Sequence, residues 1–129
     1  MNLKFRKAEF NDAKFVYDLR FLSDDKDSYF SVENIDFDSH IKFWERHYET
    51  YTIAVINNKR VGFYGFVKDD FRYAVAPERR GEGIGYQIIK SAMTSYNLKE
   101  AKVIKSNKPS LKCFDKAGFR IKENCIEDG

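Results

Sequence analysis

The spacing of hydrophobic residues divides the chain into ten predicted elements, six strands and four helices. Short apolar or alternating segments predict strands at residues 3–7, 51–57, 60–67, 71–76, 101–106 and 119–126. Apolar residues at helical spacing, together with capping residues, predict helices at residues 12–22, 39–49, 84–97 and 107–118. The order is therefore β-α-α-β-β-β-α-β-α-β. Because hairpins come first and a crossover follows, we expect an α/β (α+β) fold with a mixed central sheet and helices on both faces.

The polar residues between these segments mark helix ends and one long loop. Asp38 is expected to cap the second helix, and Pro109 and Gly118 to mark the first turn and the stop of the fourth. The loop at residues 23–36 is long for a connection in a compact domain, and loops of that length are often functional.

Composition narrows the class of protein. A chain of 129 residues fits a single domain, 1–129, and 43% hydrophobic residues are enough for a packed core. No apolar run approaches the roughly 20 residues that span a bilayer, and the N-terminus lacks a secretory pattern, so we expect a cytoplasmic protein without membrane contact. The two cysteines, Cys113 and Cys125, are too few for a disulfide scaffold and lack metal-site spacing. We expect free thiols and no metal.

Charge is distributed unevenly, although the net charge is only +3. Residues 9–50 carry 11 Asp/Glu against 5 Lys/Arg, and residues 99–122 carry 8 Lys/Arg against 2 Asp/Glu. The asymmetry indicates either solvated helix faces or an anionic ligand that approaches the C-terminal half. Nucleic acid is not an expected partner, because the chain has neither a strongly basic charge nor a basic stripe interleaved with aromatic residues.

Residues 75–85 read VAPERRGEGIG, with three glycines at alternate positions behind two arginines. The stretch joins a predicted strand to a predicted helix, whose first amides have no internal partners and lie at the positive end of the helix dipole. Glycines let the backbone approach a bulky phosphate, and Arg79 or Arg80 can add a charge-assisted contact. The stretch therefore predicts a diphosphate site. It is neither a P-loop nor a full dinucleotide fingerprint, because no Gly-Lys-Ser/Thr follows and the glycines fall as G-x-G-x-G.

The same stretch resembles motif A of the GCN5-related N-acetyltransferases, the GNAT superfamily. The core of that motif is Arg/Gln-x-x-Gly-x-Gly/Ala, and Arg80, Gly83 and Gly85 stand at these positions. A second stretch, NKPSLKCFDKAGF, resembles a later motif of the family, and its matching residues are Asn107, Ser110, Phe114, Gly118 and Phe119. The predicted order of elements is also that of the family's fold, so the resemblance covers nearly the whole chain.

The resemblance implies transfer of an acetyl group from acetyl-CoA to an amine. It implies that the CoA diphosphate is bound by motif A, here Arg80, Gly81, Glu82, Gly83, Ile84 and Gly85. It places the pantetheine arm along the end of the fourth strand, at Tyr73, Ala74 and Val75, where that strand and the next splay apart. It also implies cofactor contacts from Asn107, Phe114 and Lys116.

Catalysis requires an oxyanion donor, an acid for the leaving thiolate and a base for the amine. The resemblance implies that the donor is a backbone N–H near Val75. Many relatives have a tyrosine acid where this chain has Phe114, so either a nearby tyrosine, with Tyr73 as the candidate, or water protonates the thiolate, or the thiolate leaves without help. The resemblance places the second helix beside the acceptor site, and the candidate bases in or near that helix are His40, Asp36, Asp38 and Glu45. His40 is favoured among them because histidine titrates near neutral pH.

The N-terminal half is expected to select the acceptor. Leu19, Arg20, His40 and Trp44 follow a layout similar to that of acetyltransferases for nucleotide-linked amino sugars, which we rank first, and of ribosomal-protein N-terminal acetyltransferases. The acidic residues 23–38 suit a polyamine or a basic peptide instead. A non-catalytic acyl-CoA-binding module remains a further alternative. Because the chain stops soon after the sixth strand, an open sheet edge favours a homodimer.

Overall fold

The strands and helices follow the predicted order. The computed structural model describes residues 2–21, 36–67, 70–96, 100–102, 108–121 and 125–128. Its strands are β1 (Leu3–Lys7), β2 (Tyr51–Ile56), β3 (Lys59–Val67), β4 (Asp70–Val75), β5 (Glu100–Lys102), β6 (Phe119–Ile121) and β7 (Cys125–Asp128). Its α-helices are α1 (Ala13–Phe21), α2 (Phe37–His47), α3 (Ile84–Tyr96) and α4 (Lys108–Lys116). Short 3-10 turns precede α1, follow α2 and follow β4, at Phe10–Asp12, Tyr48–Thr50 and Pro77–Arg79.

Most element boundaries lie within two residues of the prediction, and two larger differences concern the cap of α2 and the last strand. The cap of α2 is Asp36 and not Asp38, because the carboxylate of Asp36 accepts the N–H of Ser39 at 2.7 Å, three residues further on. The predicted last strand, residues 119–126, is divided into β6 and β7, and β7 pairs with both β5 and β6. The chain therefore does form a short seventh strand, which lies inside the second sheet and not at its edge.

Among the described residues, the strands form two antiparallel sheets. The first has the order β1-β2-β3-β4, and its central hairpin turns at Asn57 and Asn58, both with positive φ, as in a type I′ turn. The second has the order β5-β7-β6. The two sheets meet where β4 contacts β5, and no ladder joins these two strands among the described residues. The single mixed sheet predicted from the sequence is thus present as two parts that separate beside β4.

Helices cover both faces of the first sheet, as predicted. On one face α3 and α4 pack on the sheet, through a cluster that includes Ala54, Tyr64, Phe71, Ile88 and Phe114. On the other face α1 and α2 pack through a cluster that includes Val16, Leu19, Trp44, Ile53 and Phe63. Because side chains alternate along a strand, β4 contributes to both clusters, with Tyr73 and Val75 on the α3 side and Ala74 on the α1 side.

A buried ion-pair network joins the N-terminal strand to the rest of the sheet. The carboxylate of Asp12 is fully buried and accepts two hydrogen bonds from Arg6 at 2.9 Å, one from Arg60 at 2.7 Å and one from the N–H of Glu9 at 2.7 Å. Burial alone would raise the pKa of Asp12, but these hydrogen bonds outweigh it and lower the pKa to about 2. The network holds β1, β3 and the start of α1 together on the side of the molecule that carries α1 and α2.

Candidate active site

The loop between β4 and α3 contains two glycines with left-handed backbone. Gly81 has φ +84° and Gly83 has φ +85°, and α3 begins at the next residue, Ile84. Residues with a Cβ are strained in this conformation. Nothing lies within 4 Å of the position that a Cβ would take at either glycine. The turn therefore requires both glycines, and the backbone there faces open space.

The first turn of α3 presents N–H groups at this loop. The bond from the N–H of Gln87 is the first that closes a full helical turn, so the N–H groups before it have no carbonyl one turn earlier. The N–H of Tyr86 is directed at the thiol of Cys113 in α4. The N–H groups of Ile84 and Gly85 remain at the positive end of the helix dipole, which favours a bound anion.

Gly85 has a packing role in the same turn. A Cβ at Gly85 would lie 3.2 Å from Sγ of Cys113, 3.7 Å from Cε2 of Tyr73 and 3.8 Å from Cγ2 of Val75. Contacts at 3.2 Å are tighter than ordinary van der Waals separation. The absence of a side chain at Gly85 therefore lets α3 begin directly against β4 and α4. This places the N–H groups of the first turn of α3 beside the end of β4.

The backbone N–H of Val75 points to the outer edge of the first sheet. The N–H of Ala76 donates to the carbonyl of Val61 in β3 at 2.8 Å. Because successive N–H groups of a strand point in opposite directions, the N–H of Val75 points away from β3. It lies at the edge where β4 separates from β5.

The α4 residues predicted to contact the cofactor lie next to this edge. Phe114 is fully buried, and its ring packs edge-on against Tyr73 at 5.8 Å and Phe71 at 6.2 Å between centroids. Lys116 places its Nζ 4.5 Å from the centre of the Tyr86 ring, a cation–π contact beside the first turn of α3. Phe114 thus acts as a packing residue behind Tyr73, while Lys116 adds positive charge near the start of α3.

His40 lies on the other face of the sheet and is fully buried. Its Nε2 is 2.9 Å from the carbonyl oxygen of Ala13, so Nε2 carries the proton and donates. Its Nδ1 has no hydrogen-bond partner among the described residues, and its ring stacks on Phe43 and Trp44. Burial lowers the pKa of His40, and the charge of Arg20 lowers it further, against the effect of the bond to Ala13. The structure does not bring His40 together with Tyr73 and Val75, and this placement argues against the predicted role as a base.

Trp44 is placed in the core, whereas Asn107 and most of the acidic loop lie outside the described residues. Trp44 is fully buried and donates from Nε1 to the carbonyl of Phe10 at 2.9 Å, so it is a core residue. Asn107, which was predicted to contact the cofactor arm, is one of the residues that the structure does not describe. Residues 22–35 are not described either, and they include most of the acidic loop at residues 23–36. In the part of the chain that is described, no helix is long and apolar enough to cross a membrane.

Two features of the site could not be found from the sequence pattern. Cys113 was expected only as a free thiol, yet it contacts the first turn of α3, and burial raises its pKa. Arg79 was expected to be a possible phosphate contact, yet its Nη2 pairs with Oε1 of Glu82 at 3.1 Å. The three-residue spacing of Arg79 and Glu82 is compatible with such a pair, whereas nothing in the sequence signals the contact of Cys113 with Gly85.

Comparisons with known proteins identify the family and the fold. Residues 17–119 match the sequence model of the Acetyltransferase (GNAT) family. No curated protein is detectably similar to the chain in sequence. Among solved structures, spermidine N-acetyltransferase from Vibrio cholerae, in complex with CoA and spermine, is similar with a TM-score of 0.77 at 16% identity, covering 98% of this chain and 92% of that one. A phosphinothricin acetyltransferase from Sinorhizobium meliloti, in complex with AcCoA, has a TM-score of 0.77 at 14% identity, covering 95% and 77%.

Proposed function

Since the chain belongs to the GNAT family of acetyltransferases, we propose that it transfers the acetyl group of acetyl-CoA directly to a small cationic amine of the polyamine type. The observation that carries the proposal is the contact between two parts of the site. The first turn of α3, which is proposed to bind the anion, packs against Val75 of β4 through Gly85. The N–H of Val75 points to the edge of the sheet. The proposed diphosphate site and the proposed oxyanion donor therefore lie next to each other.

The described residues fit the diphosphate of CoA. The open backbone at Gly81 and Gly83 leaves room for phosphate oxygens, and the N–H groups of Ile84 and Gly85 are the donors. Arg80 is exposed next to this loop and supplies a positive charge. The pantetheine arm is proposed to follow β4 past Ala74 and Val75. Bound there, acetyl-CoA supplies the activated acetyl group.

The protein's own contribution to the chemistry is positioning and electrostatics. The N–H of Val75 is proposed to donate to the carbonyl oxygen of the acetyl group as negative charge develops on it, and removing one such donor typically costs about 100- to 1000-fold in rate. Tyr73 is the proposed acid for the leaving thiolate. Its ring is fixed by stacking on Phe71 and by the edge of Phe114. No described residue is proposed as the base.

The acceptor is proposed from charge and from the named neighbours. Residues 9–50 carry 11 acidic against 5 basic residues, an excess that attracts a cationic amine and repels the phosphates of a nucleotide sugar. One of the similar solved structures is a spermidine N-acetyltransferase with spermine. The amino-sugar acceptor ranked first from the sequence finds no support in these comparisons, and the polyamine alternative takes its place.

A panel assay tests this proposal. The purified chain is incubated with acetyl-CoA and, separately, with spermidine, spermine, a basic N-terminal peptide and a nucleotide-linked amino sugar, and release of CoA thiol is followed. We expect amine-dependent release with the polyamines. Release only with the amino sugar or the peptide would contradict the proposed acceptor, and tight binding of acetyl-CoA without release in any arm would contradict the enzyme.

A further inference from the structure

The loop that is proposed to bind the diphosphate contains a carboxylate of its own. Glu82 lies between the two left-handed glycines, and its side chain is 41% exposed. An anionic side chain so close to a binding site for a diphosphate opposes binding by charge repulsion, unless a neighbouring cation compensates it. Two arginines, Arg79 and Arg80, precede the loop and are the candidates for that compensation.

The structure pairs Arg79 with Glu82. Nη2 of Arg79 is 3.1 Å from Oε1 of Glu82, and the side chain of Arg79 is 33% exposed. The guanidinium starts from the 3-10 turn after β4, where the N–H of Arg79 bonds to the carbonyl of Ala76 at 2.9 Å. Its Nε is buried and finds no partner among the described residues. Within this part of the chain the one side chain shown to engage the guanidinium is therefore that of Glu82.

We propose that Arg79 is a positioning residue that neutralises Glu82, and that it does not contact the diphosphate directly. The inference rests on the proposed function, because it concerns the same site. The Arg79–Glu82 pair has no net charge, so the N–H groups of α3 act on the diphosphate without an opposing carboxylate. The two adjacent arginines then have different tasks. Arg79 pairs with Glu82, and Arg80, which stands at the motif position, is the arginine proposed to supply positive charge to the diphosphate.

The test compares CoA affinity, measured by calorimetry, in the wild type, Arg79→Gln, Glu82→Gln and the double variant. In the proposed arrangement affinity follows the net charge of the pair. Arg79→Gln leaves a charge of −1 and binds CoA about fivefold more weakly at low salt, whereas Glu82→Gln leaves +1 and binds about fivefold more tightly. The double variant restores zero charge and returns to within about twofold of the wild type. All three differences shrink at about 0.5 M salt, because exposed charges are screened.

Several outcomes of these measurements would overturn the proposed role of Arg79. If Arg79 contacts the diphosphate directly, Arg79→Gln loses far more than fivefold in affinity and the double variant stays well below the wild type, and this would overturn the inference. Equal affinity in the wild type and Arg79→Gln, or in the wild type and Glu82→Gln, would overturn it as well. Melting temperatures of all variants exclude unfolding as the cause of a loss. Failure of the wild type to bind CoA is a separate outcome, seen before any variant is compared, and it would defeat the proposed function itself.

Discussion

Replacing Gly85 with alanine tests how closely α3 begins against its neighbours. The added methyl group would lie 3.2 Å from Sγ of Cys113, a few tenths of an ångström too close, and 3.7 Å from the ring of Tyr73. Overpacking of this kind costs about 1–3 kcal/mol, and the better helix propensity of alanine returns about 1 kcal/mol. We therefore expect Gly85→Ala to lower the free energy of unfolding by about 1 kcal/mol.

A second substitution shows whether the clash with Cys113 is the cause. Cys113→Ala alone should cost about 1 kcal/mol through the loss of a half-buried thiol and its contact with the N–H of Tyr86. In the Gly85→Ala background the same change should cost close to nothing, because the alanine methyl occupies the space that the sulfur leaves. The expected coupling free energy is thus about 1 kcal/mol, well above the roughly 0.3–0.5 kcal/mol scatter of independent sites.

The assay is urea unfolding of the wild type, both single variants and the double variant, with the slope of the transition checked for constancy. Gly83→Ala is the matched control. It is strained by its φ of +85° but meets no neighbour within 4 Å, so Cys113→Ala should add to it without coupling. Additive effects for Gly85 and Cys113, or the same coupling with Gly83, would refute the described packing of α3 against α4.

Four further outcomes follow from the structure. Val75→Pro removes an N–H that points away from β3 and should lower kcat about 100- to 1000-fold. The control, Ala76→Pro, removes a hydrogen bond to β3 and should cost about 1 kcal/mol of stability while kcat is retained. Equal losses of kcat in the two variants would contradict the proposed role of the Val75 N–H. Because the folded pKa of Asp12 is about 2, its stabilisation is present above about pH 4 and lost as pH falls towards 2. Unfolding midpoints across that range should fall in the wild type and stay flatter in Asp12→Asn. Burial lowers the pKa of His40, so the unfolded chain takes up the proton first and stability should fall below about pH 6.5, an effect that His40→Gln removes. A hundredfold loss of kcat in folded His40→Gln would instead restore its role as the base. Gly83→Ala should lower the free energy of unfolding by about 1–2 kcal/mol and weaken CoA binding, because its φ is +85°. Gly83→Asn should have smaller effects on stability and on affinity. Unchanged CoA affinity in the two variants would contradict the proposal that the backbone at Gly83 binds the diphosphate.

The sequence was most informative where local rules decide the structure. Hydrophobic spacing located β1 at residues 3–7 without error, and the glycine-rich stretch predicted both the start of α3 at residue 84 and its exposed amides. These features depend on near neighbours in the chain. The pairing of β7 between β5 and β6 depends on contacts with residues about 25 positions earlier, which no local pattern encodes. The pairing of β7 with β5 was missed for that reason, whereas the pair of β6 and β7 is local and was interpreted as one strand.

The site was predictable in part for the same reason. The motif residues of the glycine loop could be named, because each has a local conformational or charge requirement. His40 was named as a base from its chemistry and from the helix that carries it, and neither signal shows that the packing of α1 against α2 buries the ring. The role of Cys113 was missed because it arises from the packing of α4 on α3. The Arg79–Glu82 pair is local, but spacing alone could not decide between it and a phosphate contact.

The central claim is that the amides at the start of α3 bind the diphosphate of CoA. The most direct test is a titration of the isotopically labelled protein with CoA, followed through the amide resonances of residues 80–85 by nuclear magnetic resonance. The account predicts that the Ile84 and Gly85 signals shift and saturate with CoA, that inorganic pyrophosphate shifts them in the same direction, and that pantetheine does not. Saturable CoA binding that leaves these two amides unmoved, or no binding to the folded chain, would contradict it.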